Sequence, residues 1–152
     1  EMGLGLLTRD YDAAAYKDID TLGASGSLTW MYQEGGRLRA SLNRSTGEST
    51  TAGIGGNVRT AASLTLSQDL TDILPGTGKL RYTNTDYRGG HSASNGRDDR
   101  EDNYWEIGAG LQYKLTENIS FNADYTYGNN SSNLNTAEYK QNVIMFGMKY
   151  DF

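Results

Sequence analysis

The stretch Trp105–Leu115, WEIGAGLQYKL, changes character at every residue. Trp105, Ile107, Ala109, Leu111, Tyr113 and Leu115 share one parity, and Glu106, Gly108, Gly110, Gln112 and Lys114 share the other. Successive side chains of an extended strand point to opposite faces. A strict period of two therefore predicts a strand with one apolar and one polar face. Helical spacing does not fit this run.

The same period recurs along the chain. Met2, Leu4 and Leu6 alternate weakly. Leu22, Ala24, Gly26, Leu28, Trp30 and Tyr32 oppose Gly23, Ser25, Ser27, Thr29 and Met31, and Leu38, Ala40 and Leu42 oppose Arg37, Arg39, Ser41 and Asn43. Ala62, Leu64, Leu66 and Leu70 oppose Ala61, Ser63, Thr65, Ser67 and Asp69, and Leu80 and Tyr82 oppose Lys79, Arg81 and Thr83. After the stretch quoted above come Ile119, Phe121, Ala123, Tyr125 and Tyr127 against Ser120, Asn122, Asp124 and Thr126. The last run has Ile144, Phe146, Met148, Tyr150 and Phe152 in phase. This predicts eight strands of about ten residues, the length a tilted strand needs to cross a bilayer.

The connections alternate in length. Short links are expected at 33–36, 71–78 and 116–118, and long polar links at 12–21, 44–57, 86–103 and 128–141. Short turns on one side and long loops on the other are the mark of an up-and-down transmembrane barrel. The expected fold is all-β, an antiparallel up-and-down transmembrane β-barrel with eight strands in this chain, as one domain over residues 1–152. Short links would be periplasmic and long ones extracellular. An even strand number would leave both termini on the periplasmic side of a bacterial outer membrane.

A soluble sandwich or lipocalin-like barrel alternates too, so the decision rests on which face points inward. The apolar face carries Trp30, Tyr32, Trp105, Tyr113, Phe121, Tyr125, Phe146, Tyr150 and Phe152. These are too bulky to fill the interior of eight strands. Placed against lipid they fit, and those near strand ends suit the interface, where a ring sits in acyl chains and its polar tip in headgroups. The polar face carries Arg37, Arg39, Asp69, Lys79, Arg81, Glu106, Lys114, Asp124, Lys149 and Asp151 as candidate lumen residues. If eight strands close, these charges are expected to pair, because isolated buried ions are costly. An open, water-filled pore would need more strands.

Composition narrows the function classes. Asp and Glu exceed Lys and Arg by 19 to 14, which argues against a nucleic-acid partner. There is no cysteine, hence no disulfide framework or zinc-thiolate site. No apolar run reaches the ~18–20 residues of a membrane helix. The sole histidine, His91, lies in a polar stretch, DYRGGHSASNGRDDREDN, without a second histidine or cysteine nearby. Asp98, Asp99, Glu101 and Asp102 lack EF-hand spacing and interleave with Arg97 and Arg100, so they read as a solvated, self-paired loop. GIGGN at 53–57 has no following helix to hold a phosphate and reads as a loop tip. No nucleophile and base stand out. Neither an enzyme nor a cofactor is expected.

The final run, alternating aromatics up to a terminal Phe, resembles the signal by which bacterial insertion machinery recognises outer-membrane proteins: Phe146, Met148, Tyr150 and Phe152. Longer stretches resemble the Putative beta-barrel porin 2 family. They are RDYDAAAYKDIDTL at 9–22, NRSTGEST at 43–50, VRT at 58–60, LRYTNTDY at 80–87, GRDD at 96–99, AGLQYKLTENISFNADYTYGNNSSN at 109–133 and YKQNVIMFGMKYDF at 139–152. Family members are commonly longer, so the resemblance implies the C-terminal part of a larger barrel. It implies a role in polysaccharide export, with a periplasmic export protein as partner beside outer-membrane lipid and lipopolysaccharide. The alternative is a small closed eight-stranded barrel that binds partners through its extracellular loops.

Overall fold

A computed structural model describes residues 1–9, 19–48, 56–88 and 100–151. They form eight strands, with a single 3-10 turn (Asn135–Ala137) before the last. The strands are β1 (Met2–Arg9), β2 (Ile19–Gln33), β3 (Gly36–Glu48), β4 (Gly56–Thr71), β5 (Leu74–Arg88), β6 (Arg100–Lys114), β7 (Ile119–Ser132) and β8 (Tyr139–Tyr150). They make one sheet in the order β1-β2-β3-β4-β5-β6-β7-β8, each strand antiparallel to the next.

Eight up-and-down strands match the expectation from period two. Closure does not: among the described residues β1 and β8 are not hydrogen-bonded to each other, and the sheet is open. Alternation fixes each strand's faces and the turns fix neighbours, but neither decides whether the first strand meets the last.

The strands are also longer than expected, 12 to 16 residues for all but β1. Two of the three short links shrink to tight turns: Glu34–Gly35 joins β2 to β3, and Asp72–Ile73 joins β4 to β5, while 115–118 joins β6 to β7. Most of the gain is on the other side. β3 and β5 run on to Glu48 and Arg88, β4 and β6 begin at Gly56 and Arg100, and β7 reaches Ser132. These extensions were expected as loop because they are polar on both faces; the backbone ladder continues where side-chain contrast stops. Gly56 and Asn57, expected in a loop tip, pair with Arg88 and Tyr87. Glu101 and Asp102 likewise sit in β6 opposite Asp86 and Thr85. His91, Arg97, Asp98 and Asp99 lie outside the described residues, as does Phe152.

The turn at Gly35 shows local chemistry dictating geometry. Its φ is +66°, a left-handed conformation that costs any residue with a Cβ. The Gly35 carbonyl accepts from the Asp69 amide at 3.0 Å, which ties this turn to β4.

Burial is inverted relative to a water-soluble sheet. In β6 the apolar parity is exposed from Trp105 to Tyr113, while Asp102 and Gly110 on the polar parity are buried and Tyr104, Glu106, Gly108 and Gln112 half-buried. β7 repeats this with Phe121, Ala123 and Tyr125 exposed against half-buried Asn122, Asp124 and Thr126. Val58 is the one buried apolar side chain among the described residues, whereas Phe146 is 81% exposed. Among the described residues no hydrophobic core forms between layers. In water, each exposed large apolar side chain would forgo about 1.5–3 kcal/mol of burial.

Candidate functional site

The register aligns the polar face into rows running across the sheet. One row is Met31, Arg37, Ser67, Thr77, Gly110, Asp124, Met145. The next, toward the long-loop side, is Thr29, Arg39, Thr65, Lys79, Gly108, Thr126, Val143. Then come Ser27, Ser41, Ser63, Arg81, Glu106, Gly128, Gln141. After these lie a row holding Asn43, Ala61, Thr83, Tyr104, Asn130 and Tyr139, and one holding Ser45, Arg59, Thr85, Asp102 and Ser132.

Nine of the ten charged residues expected on this face share it: Arg37, Arg39, Asp69, Lys79, Arg81, Glu106, Lys114, Asp124 and Lys149. Asp151 lies just past β8, and its carboxylate accepts from Lys149 Nζ at 2.9 Å. Trp30, Tyr32, Trp105, Tyr113, Phe121, Tyr125, Phe146, Met148 and Tyr150 take the opposite parity. Trp105 and Tyr127 meet edge-on there at 5.4 Å, and Trp30 and Tyr32 lie 5.9 Å apart near the β2–β3 turn.

Of the charge pairing expected on this face, Lys149 with Asp151 forms among the described residues and the rest does not. Among the described residues the ion pairs are Arg100–Asp102 and Lys149–Asp151. Arg81 stands directly opposite Glu106, yet no ion pair joins them within 4.0 Å. Glu106 instead accepts from Tyr104 Oη at 2.8 Å, and Gln141 Nε2 donates to the same hydroxyl at 3.0 Å. Asp124 accepts from Asn122 Nδ2 at 3.1 Å. The physical reason is an open face: these cations are exposed to solvent, so no desolvation cost forces them into pairs.

Toward the long-loop side the face hollows into a cavity of about 440 Å³. Arg59, Thr83, Tyr87, Tyr104, Asn130 and Tyr139 are among the residues that line it. Arg100 closes one side. It grips Asp102 through Nε at 2.9 Å and Nη2 at 2.5 Å and stacks its guanidinium 4.7 Å from the Tyr87 ring centre. Tyr104 reaches across Gly128, where a Cβ would collide with its ring. Asn130 is fixed by donating to the Ala137 carbonyl at 2.8 Å. Thr83 is 4% exposed, and its hydroxyl has no partner among the described residues. Tyrosine faces, amides and hydroxyls around a polar hollow can stack on and hydrogen-bond a polyhydroxylated ligand.

Sequence reading missed Arg59, Tyr104 and Tyr139 on this face. The signal was present: Arg59 is in phase with Ser63 and Thr65, Tyr104 with Glu106, and Tyr139 with Gln141. The strands run one or two alternations past the apolar residues that reveal them.

The chain's sequence matches, over residues 1–152, the family model described as Putative beta-barrel porin 2. No curated protein and no solved structure matches it.

Proposed function

We propose that this chain, which belongs to the Putative beta-barrel porin 2 family, forms wall of an outer-membrane pore through which polysaccharide leaves the cell. The observation that carries the reading is the inverted burial: apolar side chains are exposed while polar ones are half-buried on the other face. Such a sheet is suited to lipid on one side and water on the other. The dimensions agree. Trp105 to Leu115 spans about 34 Å along the strand, or roughly 25 Å of height at the usual barrel tilt. Beyond Trp105, β6 continues through Arg100–Tyr104 and carries the sheet past that apolar band.

Inside lipid, the free backbone groups of β1 and β8 would need partners. This favours a sheet that is part of a wider wall with an open lumen over a small plugged barrel. The unpaired charges and the tyrosine-lined hollow then face water. In this arrangement both termini are periplasmic, the long links are extracellular, and a periplasmic export protein docks below. The residues Phe146, Met148, Tyr150 and Phe152 serve the insertion machinery. The function is conduction, not catalysis.

The test is reconstitution into planar bilayers and into vesicles loaded with fluorescent oligosaccharide. Stepwise conductance together with sugar efflux supports the reading. A bilayer that stays sealed under voltage, with sugar retained, overturns it.

A further inference from the structure

Apart from Asp69 on β4, Lys114 on β6 and Lys149 on β8, which lie at the turn end of the strands, and the Arg100–Asp102 pair on β6, the described charges on the polar face are sorted by strand. Arg37 and Arg39 lie on β3, Arg59 on β4, and Lys79 and Arg81 on β5. The acids Glu106 and Asp124 lie on β6 and β7. All five cations are exposed, and none has an ion pair, side-chain hydrogen bond or ring contact among the described residues. Read from the turn side to the long-loop side, successive rows carry Arg37, then Arg39 with Lys79, then Arg81, then the row of Thr83, then Arg59. Four of these five rows thus hold a cation. Rows are about 7 Å apart, so the ladder runs about 27 Å along the wall.

Between the cations the floor is hydroxyl. Thr65 separates Arg39 from Lys79, Ser67 and Thr77 follow Arg37 along its row, and Ser41 and Ser63 precede Arg81, their Oγ atoms 2.8 Å apart. Like charges two residues apart on one strand repel. Among the described residues no carboxylate forms an ion pair with them, although Glu106 is one strand away from Arg81. Glu106 and Asp124, each held by a neighbouring side chain, border the ladder with negative charge. Beyond the turn end, where Asp69 and Lys114 sit, a negatively charged chain would be attracted to β3–β5 and repelled from Glu106 and Asp124.

We infer that the Arg37–Arg39–Lys79–Arg81 ladder, continued by Arg59 into the tyrosine-lined hollow, is a binding track for an acidic oligosaccharide. Its repeated carboxylates meet the cations and its hydroxyls meet the serine and threonine floor. This rests on the pore reading and adds to it the charge of the cargo.

Two measurements on the full chain test it separately from that reading. The first is binding of oligogalacturonate, compared with a neutral maltooligosaccharide of equal length, by titration of the lipid-reconstituted protein at several salt concentrations. The acidic sugar should bind tighter, and its affinity should fall as salt rises. Each cation removed, as in Arg39→Ser with Lys79→Ser, should weaken it about threefold. Equal affinity for the two sugars, or no change in the double variant, overturns the track. The second is the reversal potential in a potassium chloride gradient. A conducting wild type should favour chloride, and the double variant should move toward zero selectivity with conductance retained. A conducting, cation-selective wild type overturns the inference and leaves the pore intact. A sealed bilayer overturns the pore, and the binding comparison still decides the track.

Discussion

Single residues report the local rules. Gly35 is held at φ +66°, so Gly35→Ala should cost about 1–2 kcal/mol. Gly5 has an ordinary backbone and open space where a Cβ would stand, so Gly5→Ala should leave stability unchanged. Urea midpoints of both variants, refolded in lipid, check the pair. Thr83 tests the opposite case. Its hydroxyl is buried without a partner among the described residues, and an unmade hydrogen bond of this kind costs about 1–3 kcal/mol. Thr83→Val keeps the shape and removes that cost, so its midpoint should equal or exceed the wild type. A lower midpoint would mean that the hydroxyl is hydrogen-bonded in the folded protein.

At the scale of the strand, parity is the quantity to test. Leu111 and Gln112 are neighbours on β6, one 50% exposed on the apolar face and the other half-buried on the polar face. With lipid against the apolar face, Leu111→Arg should cost about 2–4 kcal/mol near the bilayer middle. Gln112→Arg should cost far less, because it adds a charge to a wetted face. Folding free energies in lipid read both; equal costs would place both residues in one environment. Parity was the most legible feature of the sequence. Alternation in WEIGAGLQYKL dictates both faces of β6, and the same period puts Phe121 and Phe146 on the shared apolar parity. Strand ends were not legible: Arg100–Asn103 is polar on both faces, so alternation is silent where hydrogen bonding to β5 continues.

At the scale of the molecule, the described residues form one sheet in which β1 and β8 are not paired with each other, and its stability should show these two edges. In detergent, the outward amides of β1 and β8 should exchange with deuterium much faster than those of β4 and β5, which are paired on both sides. Uniform protection across all eight strands would mean the edges are covered. The candidate site also belongs to this scale. Arg39, Lys79 and Arg81 were each readable as polar-face residues. Their assembly into a ladder apart from Glu106 and Asp124 depends on the register of four strand pairs, which no single strand encodes.

By itself the sequence determined the strand number, the order of the faces and the family, because period two is a local consequence of extended backbone geometry. The tertiary structure alone decided that among the described residues the first strand does not meet the last, that Arg81 and Glu106 face each other without an ion pair, and that Arg59 and three tyrosines border one hollow. Those outcomes depend on how far each ladder runs and where it is in register, which is set by hydrogen bonds between residues distant in the chain.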